Sequence, residues 1–561
     1  MSTDAATEGL ARVRVEGKFF RAGARRFLVK GVTYGPLTAG GLDGGFLSRT
    51  ATGEDLRRAR ELGANTLRIY QVPPRWFLDL AAEHGLRLLI DIPWPHYLCF
   101  LDRLDLQREA INTVTQAVSV CRGHPAVFAY SVANEIPAEI VRWQGARRTA
   151  AFVDRLIAAG KELDPDVLFT WASYPPTEYL QTQNADFLTF NVFLHERRAF
   201  TGYLARLQTL ANTRPLLLGE TGIDSLREGE ARQAEILDWQ VESAFQAGLA
   251  GVTLFSLTDE WCRNGRRVDD WAFGLTDRQR RPKKAFWKVQ SQCAAAPGFT
   301  RSRWPKVTVV VACYNGAPTL AACLEALGRL RYPDFEVLLV DDGSTDDTAQ
   351  IALSYPNATC LRQPHRGLSV ARNTGNGAAR GEIIAFTDAD CRPDEDWLLY
   401  LVDELLGGGY AAVGGHNLLP PDDSQIAAAV MASPGGPAHV MLTDREAEHI
   451  PGCNMAFHRW ALEEIGGFDP VFHRAGDDVD VCWRLLERGH RIGFSAGGFV
   501  WHYRRSTVCA YLRQQSGYGE AEAQLARKHP EFFNALGGST WRGRIYSAAR
   551  PGVMLRRPVI Y

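Results

Sequence analysis

The chain has 561 residues, of which 46% are hydrophobic and 23% charged, and its 63 Lys and Arg nearly balance 64 Asp and Glu. That length implies two to four domains with ample core, and the composition is that of an ordinary soluble globular protein. A net charge of −1 gives no bulk field for nucleic acid or an anionic membrane surface, and no apolar run reaches the roughly 18 residues that span a bilayer.

The N-terminus, "MSTDAATEGLARVRVEG", lacks the apolar stretch of a signal peptide. The segment "VRVEGKFFRAGARRFLVKG" then reads as a small hairpin able to plug a barrel floor. Eight short apolar runs follow: residues 27–36, 64–71, 87–94, 127–135, 166–174, 187–193, 215–222 and 251–259. Helical stretches separate them. One is "GEDLRRARELG" (53–63), with Leu56, Ala59 and Leu62 at helical spacing and Thr52 placed as its cap. Strands alternating with helices predict a parallel sheet, and eight such units over some 250 residues predict an α/β fold of the (β/α)8 TIM-barrel type.

Chemistry in such barrels sits at the C-terminal strand ends. Polar and aromatic residues stand there: Arg68, Trp94, His96, Asn134, Glu135, Asn191, Glu220 and, after the eighth strand, Asp259, Glu260 and Trp261. Two glutamates above strands four and seven face each other across a barrel mouth. Glycosidic cleavage needs two carboxylates, one to protonate the leaving oxygen and one to attack carbon. The segments "VANE" and "LLLGETG" resemble the retaining glycoside hydrolases of clan A, especially families 2 and 5, over residues 12 to 290. The resemblance implies Glu135 as acid/base and Glu220 as nucleophile. Asn134 would bond the sugar 2-hydroxyl, Arg68 would orient Glu220, and Trp261 would floor the sugar. Trp94, His96 and Asn191 complete the expected substrate contacts. The family places Tyr or His after the strand-six Asn, whereas this sequence has Phe193, with His195 two residues on.

Residues 1–290 are thus read as the barrel and 291–305, "SQCAAAPGFTRSRWP", as a linker rich in Ala, Pro and Gly. A second pattern occupies 306–530. "KVTVVVACYNG" (306–316) is a buried strand entering a turn, "APTLAACLEALGRL" an amphipathic helix, and "FEVLLVDDGSTDDTAQIAL" a second strand, an acidic turn and another helix. The βαβ order predicts another parallel sheet. No GxGxxG or GxxxxGK[ST] occurs, which argues against a dinucleotide fold or P-loop. "GEIIAFTDAD" ends the next strand with Asp388 and Asp390. Strand alternation aims both the same way, and a divalent cation would relieve their repulsion and carry a diphosphate. Hard oxygen donors favour Mg²⁺ or Mn²⁺ over zinc. The eleven cysteines show neither a CxxC pair nor a zinc spacing and read as reduced thiols of a cytoplasmic protein.

The ordered set "ACYNG", "VDDGSTDDT", "ARNTG", "TDAD" and "GDDVDVCWRL" resembles the family 2 glycosyltransferases of GT-A fold, a Rossmann-like mixed sheet. The resemblance implies that Cys313, Tyr314, Asn315, Asp341 and Asp342 cradle uracil and ribose, and that Arg372 approaches the nucleotide. Asp388 and Asp390 form the DxD motif, with Asp390 the more direct metal ligand and His502 a third ligand as in some members. Asp478 aligns with the base that deprotonates the acceptor, and Asp477 stands where the family has Glu. Processive members carry QxxRW, whereas this chain has "YLRQQSGYGEAEA" (511–523) and reads as non-processive. The alternative is a transferase that lacks its membrane-associated partner. The partners implied are a nucleotide sugar, specifically a UDP-sugar, and a glycan acceptor. The expected product is a β-linkage made by inversion, beside a barrel that cleaves or transfers β-glycosides. The alternative is an inactive barrel that only binds glycan. Residues 531–561 read as a tail, and "SAARPGVMLRRPVIY" as its truncated end.

Overall fold

The computed structural model describes residues 10–38, 45–263, 265–433, 438–546 and 554–555. The start of the chain and most of "SAARPGVMLRRPVIY" lie outside the described residues. The chain divides into two compact units, Met1–Gly298 and Phe299–Tyr561.

The first unit is a closed barrel of eight parallel strands: Val29–Thr33, Thr66–Ile69, Arg87–Asp91, Val127–Asn134, Leu168–Ser173, Leu188–Asn191, Leu216–Thr221 and Gly251–Leu254. All eight fall within the predicted runs. The strand interiors are almost wholly buried, because helices cover the outside of the ring and side chains fill the inside. Strands Val13–Glu16, Phe19–Ala22 and Arg25–Phe27 form a separate sheet. From it Phe20 packs edge-on against Phe128 and Phe187, and Lys18 Nζ donates to the Asn212 and Arg214 carbonyls. Phe128 and Phe187 stand at the start of strands four and six, so this sheet closes the barrel floor.

The first helix, Arg49–Glu61, buries Leu56 and Ala59 as its spacing requires. Its cap is Ser48, which accepts from the Ala51 amide, and not Thr52. Thr52 lies inside the helix, and its hydroxyl donates back to the Leu47 carbonyl. The expected linker is also largely structured. Residues 291–295 complete the helix Lys284–Ala295, with Cys293 buried. Beyond it, Phe299 packs on Tyr400, Trp304 packs on Tyr332 and Arg301 bonds Asp403. Those apolar and charged contacts anchor both ends and leave a short connection between them.

The second unit is built on a mixed sheet. Its parallel part has the order Ala358–Arg362, Phe335–Asp341, Val307–Cys313, Ile383–Asp388. Asn454–His458 then pairs antiparallel, followed by Ala412–Leu418 and the long Ile492–His502. Val307, Val309 and Val311 enter one core, and Val310, with Leu338, Val340 and Phe386, enters the other. Both faces are covered, which is why these strands read as unbroken apolar runs. The predicted tail is part of this unit as far as residue 546. Phe532 stacks on Trp483 at 4.3 Å and Arg544–Tyr546 pairs with Val440–Met441, because the aromatic face of the helix Asp477–Glu487 needs cover. No helix among the described residues is long and apolar enough to cross a membrane.

Candidate active sites

At the C-terminal end of the barrel, a buried arginine organises the carboxylates. Arg68 uses all five of its donors. Nε and Nη2 bond Asp91 at 2.6 and 3.1 Å, Nη2 bonds Asn134 Oδ1 at 2.9 Å, and Nη1 bonds Asn191 Oδ1 at 2.9 Å and Glu220 Oε1 at 3.2 Å. Asn191 Nδ2 reaches Asn134 Oδ1 at 3.0 Å and Glu135 Oε1 at 2.7 Å. The two glutamates named from sequence are therefore bound to one Arg68–Asn191 frame. Register irregularities near the ends of strands four and seven re-aim their last residues, and Glu135 holds a left-handed φ of 50°, a strained backbone of the kind found at functional sites. Gly219 is required here, since a Cβ would come within 2.7 Å of Arg68 Nη1 and Asn191 Oδ1.

Sequence reading missed Tyr70, whose hydroxyl donates to Glu220 Oε1 at 2.8 Å. The signal was present: Arg68 and Tyr70 are two apart on one strand and so share a face. Tyr70 supplies the contact that Phe193 cannot. Phe193 is 39% exposed and meets Phe255 and Phe273, while His195 bonds the Gly222 carbonyl. Asp91 was also missed, and it matters electrostatically. Arg68 is held bidentately by Asp91 and divides its charge between Asp91 and Glu220. Burial pushes Glu220 up to about 7, against the lowering effects of Arg68 and the Tyr70 hydrogen bond. Arg68 therefore orients Glu220, as the resemblance implies, without holding its carboxyl in the usual carboxylate range. Trp261 is buried and packs with Tyr70, Phe255 and Trp271, forming an aromatic wall. Trp94 is corrected to a packing residue. It sits edge-on to Phe100 and Phe152, and its indole N–H donates to the Val132 carbonyl at 2.6 Å. His96, half-buried beside it, bonds the Trp94 carbonyl, and burial lowers its pKa.

In the second unit the parallel strands end together, with Cys313 opposite Asp341 and Ala312 opposite Asp388. Tyr314, 48% exposed, stacks on His365 at 4.0 Å. Asn315, in a left-handed conformation, accepts from the Thr345 amide and so shapes the "DDGST" turn. Asp341 is fully buried. Its Oδ1 accepts from the Ser344 amide, while its Oδ2 has no hydrogen bond and lies 3.4 Å from Arg362 Nε, a contact of ion-pair length only. Asp342 differs from expectation. Both its oxygens fasten the neighbouring loop through Gln363 and the amides of Arg366 and Gly367. It holds the loop that carries His365, and its Oδ2 lies 2.8 Å from His365 Nδ1.

Arg372 is likewise buried and does not approach a nucleotide directly. It ties Asp477 Oδ2 (2.5 Å) to Asp388 Oδ1 (3.0 Å) and the Gly452 carbonyl (3.1 Å). Asp477 is thereby a partner of Arg372 and not a substrate contact. Burial raises its pKa, as it raises Asp388 to about 6 despite Arg372. Asp478, the next residue on the helix, points elsewhere. Its Oδ2 accepts from the Gly452 amide at 2.9 Å and lies 3.4 Å from His449 Nε2, a separation that is not a hydrogen bond here. Burial alone would raise Asp478, but His449 and Arg372 outweigh it and bring the carboxyl down to about 2.

Asp390 is the more loosely held of the DxD pair. Its contacts are long: Arg505 Nη1 at 3.3 Å, His502 Nε2 at 3.5 Å and the Cys391 thiol at 3.9 Å. Burial opposes its ionisation, yet His502, Arg505 and Arg504 bring it down to about 2. An ionised carboxylate, beside Asp388, is the hard oxygen donor set that a divalent cation such as Mg²⁺ or Mn²⁺ would take. Part of the charge relief expected from a cation is already supplied by Arg372 on Asp388 and Arg505 on Asp390.

Comparison with known proteins gives the second unit clear kin. The profile described as Glycosyl transferase family 2 matches residues 308–466. The glycosyltransferase AglE of Haloferax volcanii is 38% identical over 232 residues, 40% of this chain and 75% of its own. The pre-mycofactocin glycosyltransferase of Mycobacterium tuberculosis is 29% identical over 236 residues, and the chain spans only 48% of its length. Among solved structures, a β-glucuronidase from Ruminococcus gnavus superposes over 50% of this chain and 52% of its own, with a TM-score of 0.44 and 19% identity.

Proposed function

The chain belongs to glycosyltransferase family 2 through its second unit, and on that premise we propose that it moves a sugar from a UDP-sugar to a glycan acceptor with inversion, making a β-linkage. One observation carries the reading: Asp478 is an ionised carboxylate held by the Gly452 amide and facing His449, whereas Asp388 is held by Arg372 and Asp390 faces His502 and Arg505. The deprotonating base and the leaving-group pole are thus separate groups. Asp390 and Asp388 would hold Mg²⁺ or Mn²⁺, which offsets the charge that develops on the departing diphosphate. Asp478 accepts the acceptor proton as the hydroxyl attacks. Tyr314, stacked on His365, offers a flat surface for the base, and Asp341 offers a carboxylate oxygen that no hydrogen bond occupies.

For the barrel we propose a retaining β-glycosidase or transglycosidase, with Glu220 as nucleophile and Glu135 as acid/base. The Arg68–Asn134–Asn191 frame and the Tyr70 hydroxyl favour this over a barrel that only binds glycan, because mere binding needs no hydrogen bond to the nucleophile. The test is a donor screen on the purified chain with Mn²⁺, the product linkage read by NMR, and a parallel screen of aryl β-glycosides. UDP-sugar consumption giving a β-linked product supports the transferase. An α-linked product would overturn the inverting assignment, and glycan binding without aryl-glycoside turnover would reduce the barrel to a binding module.

A further inference from the structure

Beside Asp390 lie two thiols that neither reaction uses, grouped with His502, which the family resemblance offers as a ligand of the diphosphate cation. Cys391, Cys453 and His502 are buried, and one donor atom from each lies within 4.8 Å of the others. They arrive from three places. Cys391 begins the short strand Cys391–Pro393, His502 ends Ile492–His502, and these pair directly across the sheet. Cys453 precedes the strand Asn454–His458. Asp390 Oδ1 stands 3.5 Å from His502 Nε2 and 3.9 Å from Cys391 Sγ.

We infer that Cys391, Cys453 and His502 form a site for a soft divalent cation of the zinc class, with Asp390 as the fourth donor. Thiolate, imidazole and carboxylate are zinc's usual donors, at about 2.3, 2.0–2.1 and 2.0–2.2 Å. Tetrahedral donors at those lengths sit roughly 3.3–3.8 Å apart, close to the two separations already present at Asp390. Mg²⁺ and Mn²⁺ prefer oxygen, so the thiols are foreign to the diphosphate cation. Each thiol releases its proton to water as the metal binds. Asp390 is partly exposed, with 20% of its side chain accessible, and provides the entry route. One adjustment is needed. Arg504 Nη1 lies 2.9 Å from His502 Nδ1, which accepts from it, whereas a metal on Nε2 puts the ring proton on Nδ1. Arg504 then keeps its bond to Asn417 Oδ1, at 2.5 Å. On the transferase reading given above, a zinc-class ion here takes Asp390 from the catalytic cation and shuts off transfer.

The test uses the full chain, stripped with chelator and titrated with Co²⁺. The expected result is one equivalent bound with an intense thiolate-to-cobalt charge-transfer band and tetrahedral visible bands, both bleached by Zn²⁺. Cys391→Ser and Cys453→Ser should each weaken the charge-transfer band and the double variant should abolish it, while Cys509→Ser, at an exposed cysteine, should keep it in full. A weak octahedral spectrum, or a band that survives the double variant, overturns the site. Should circular dichroism show that the serine variants are unfolded, zinc content of the unmutated chain after dialysis decides, since a value near zero per chain also overturns it. Neither readout depends on turnover, so failure of the transferase reading leaves this test intact.

Discussion

Glu220→Gln offers the sharpest test of the barrel's electrostatics, through stability. Burial raises the Glu220 carboxyl from 4.5 to about 7, so the folded chain holds that proton more tightly than the unfolded chain does. Stability due to this group is complete below pH 4.5, falls as pH rises, and is lost above about 7. At about 1.4 kcal/mol for each pH unit, the ionised carboxylate costs the native barrel about 3 kcal/mol at pH 8. A neutral amide in its place removes that cost while its oxygen still accepts from Tyr70 and Arg68. Arg68 retains Asp91, Asn134 and Asn191 as partners, so it is not orphaned. Scanning calorimetry of the full chain at pH 5 and pH 8 should show the variant's barrel transition raised by about 6 °C at pH 8 and nearly unchanged at pH 5. An equal difference at both pH values would refute the reasoning, because it would mean that the Asp91-bound Arg68 still neutralises Glu220.

Tyr70→Phe removes a hydrogen bond to a buried charge, of about 1.5–3 kcal/mol. Barrel turnover, which should fade as pH falls through about 7 because the nucleophile protonates, should then fade about 1–2 pH units higher; an unmoved limb in the pH profile of kcat/KM excludes Tyr70 from the site. Asp390→Asn should cut sugar transfer by ~100-fold, the loss expected for a major electrostatic stabiliser, and full wild-type activity in excess EDTA would count against a metal. Asp478→Asn should keep UDP-sugar binding by titration calorimetry and lose turnover, with wild-type transfer showing no acid limb from this group near neutral pH; lost donor binding would make the residue structural. Arg372→Met leaves the buried Asp477 and the half-buried Asp388 without their cation and should destabilise the second unit by about 3–5 kcal/mol. Urea unfolding within about 1 kcal/mol of wild type would show that those carboxyls simply take up protons.

Much of the architecture was legible in the sequence, because alternation and periodicity report burial directly. Eight apolar runs at regular spacing became eight barrel strands, and the run ending at Asp388 became a strand covered on both faces. Glu135, Glu220, Asp388 and Asp390 could be named because each stands at the end of such a run, where chemistry-bearing side chains collect, whereas Asp478 was named only through the resemblance to a known family. Boundaries were less legible. Ser48 and Thr52 are both good caps, and only the path of the preceding chain chose between them. "SQCAA" lacks visible periodicity, yet Cys293 finds a buried slot that extends the helix to Ala295.

Partnership was what only the tertiary structure decided. Which acid Arg372 serves depends on where residues 388 and 477 arrive in space, and it turned two expected substrate contacts, Arg372 and Asp477, into a buried ion cluster. Trp94 and Asp342 were reassigned for the same reason: their polar atoms are satisfied by neighbours the linear order does not reveal. Cys391 and Cys453 have no metal-binding spacing along the chain, and His502 lies further off still. Strand pairing and a tight turn bring the three donors together. A chain's order sets which donors exist and which face of an element each lies on, whereas donor sets drawn from distant segments exist only once the sheet has closed.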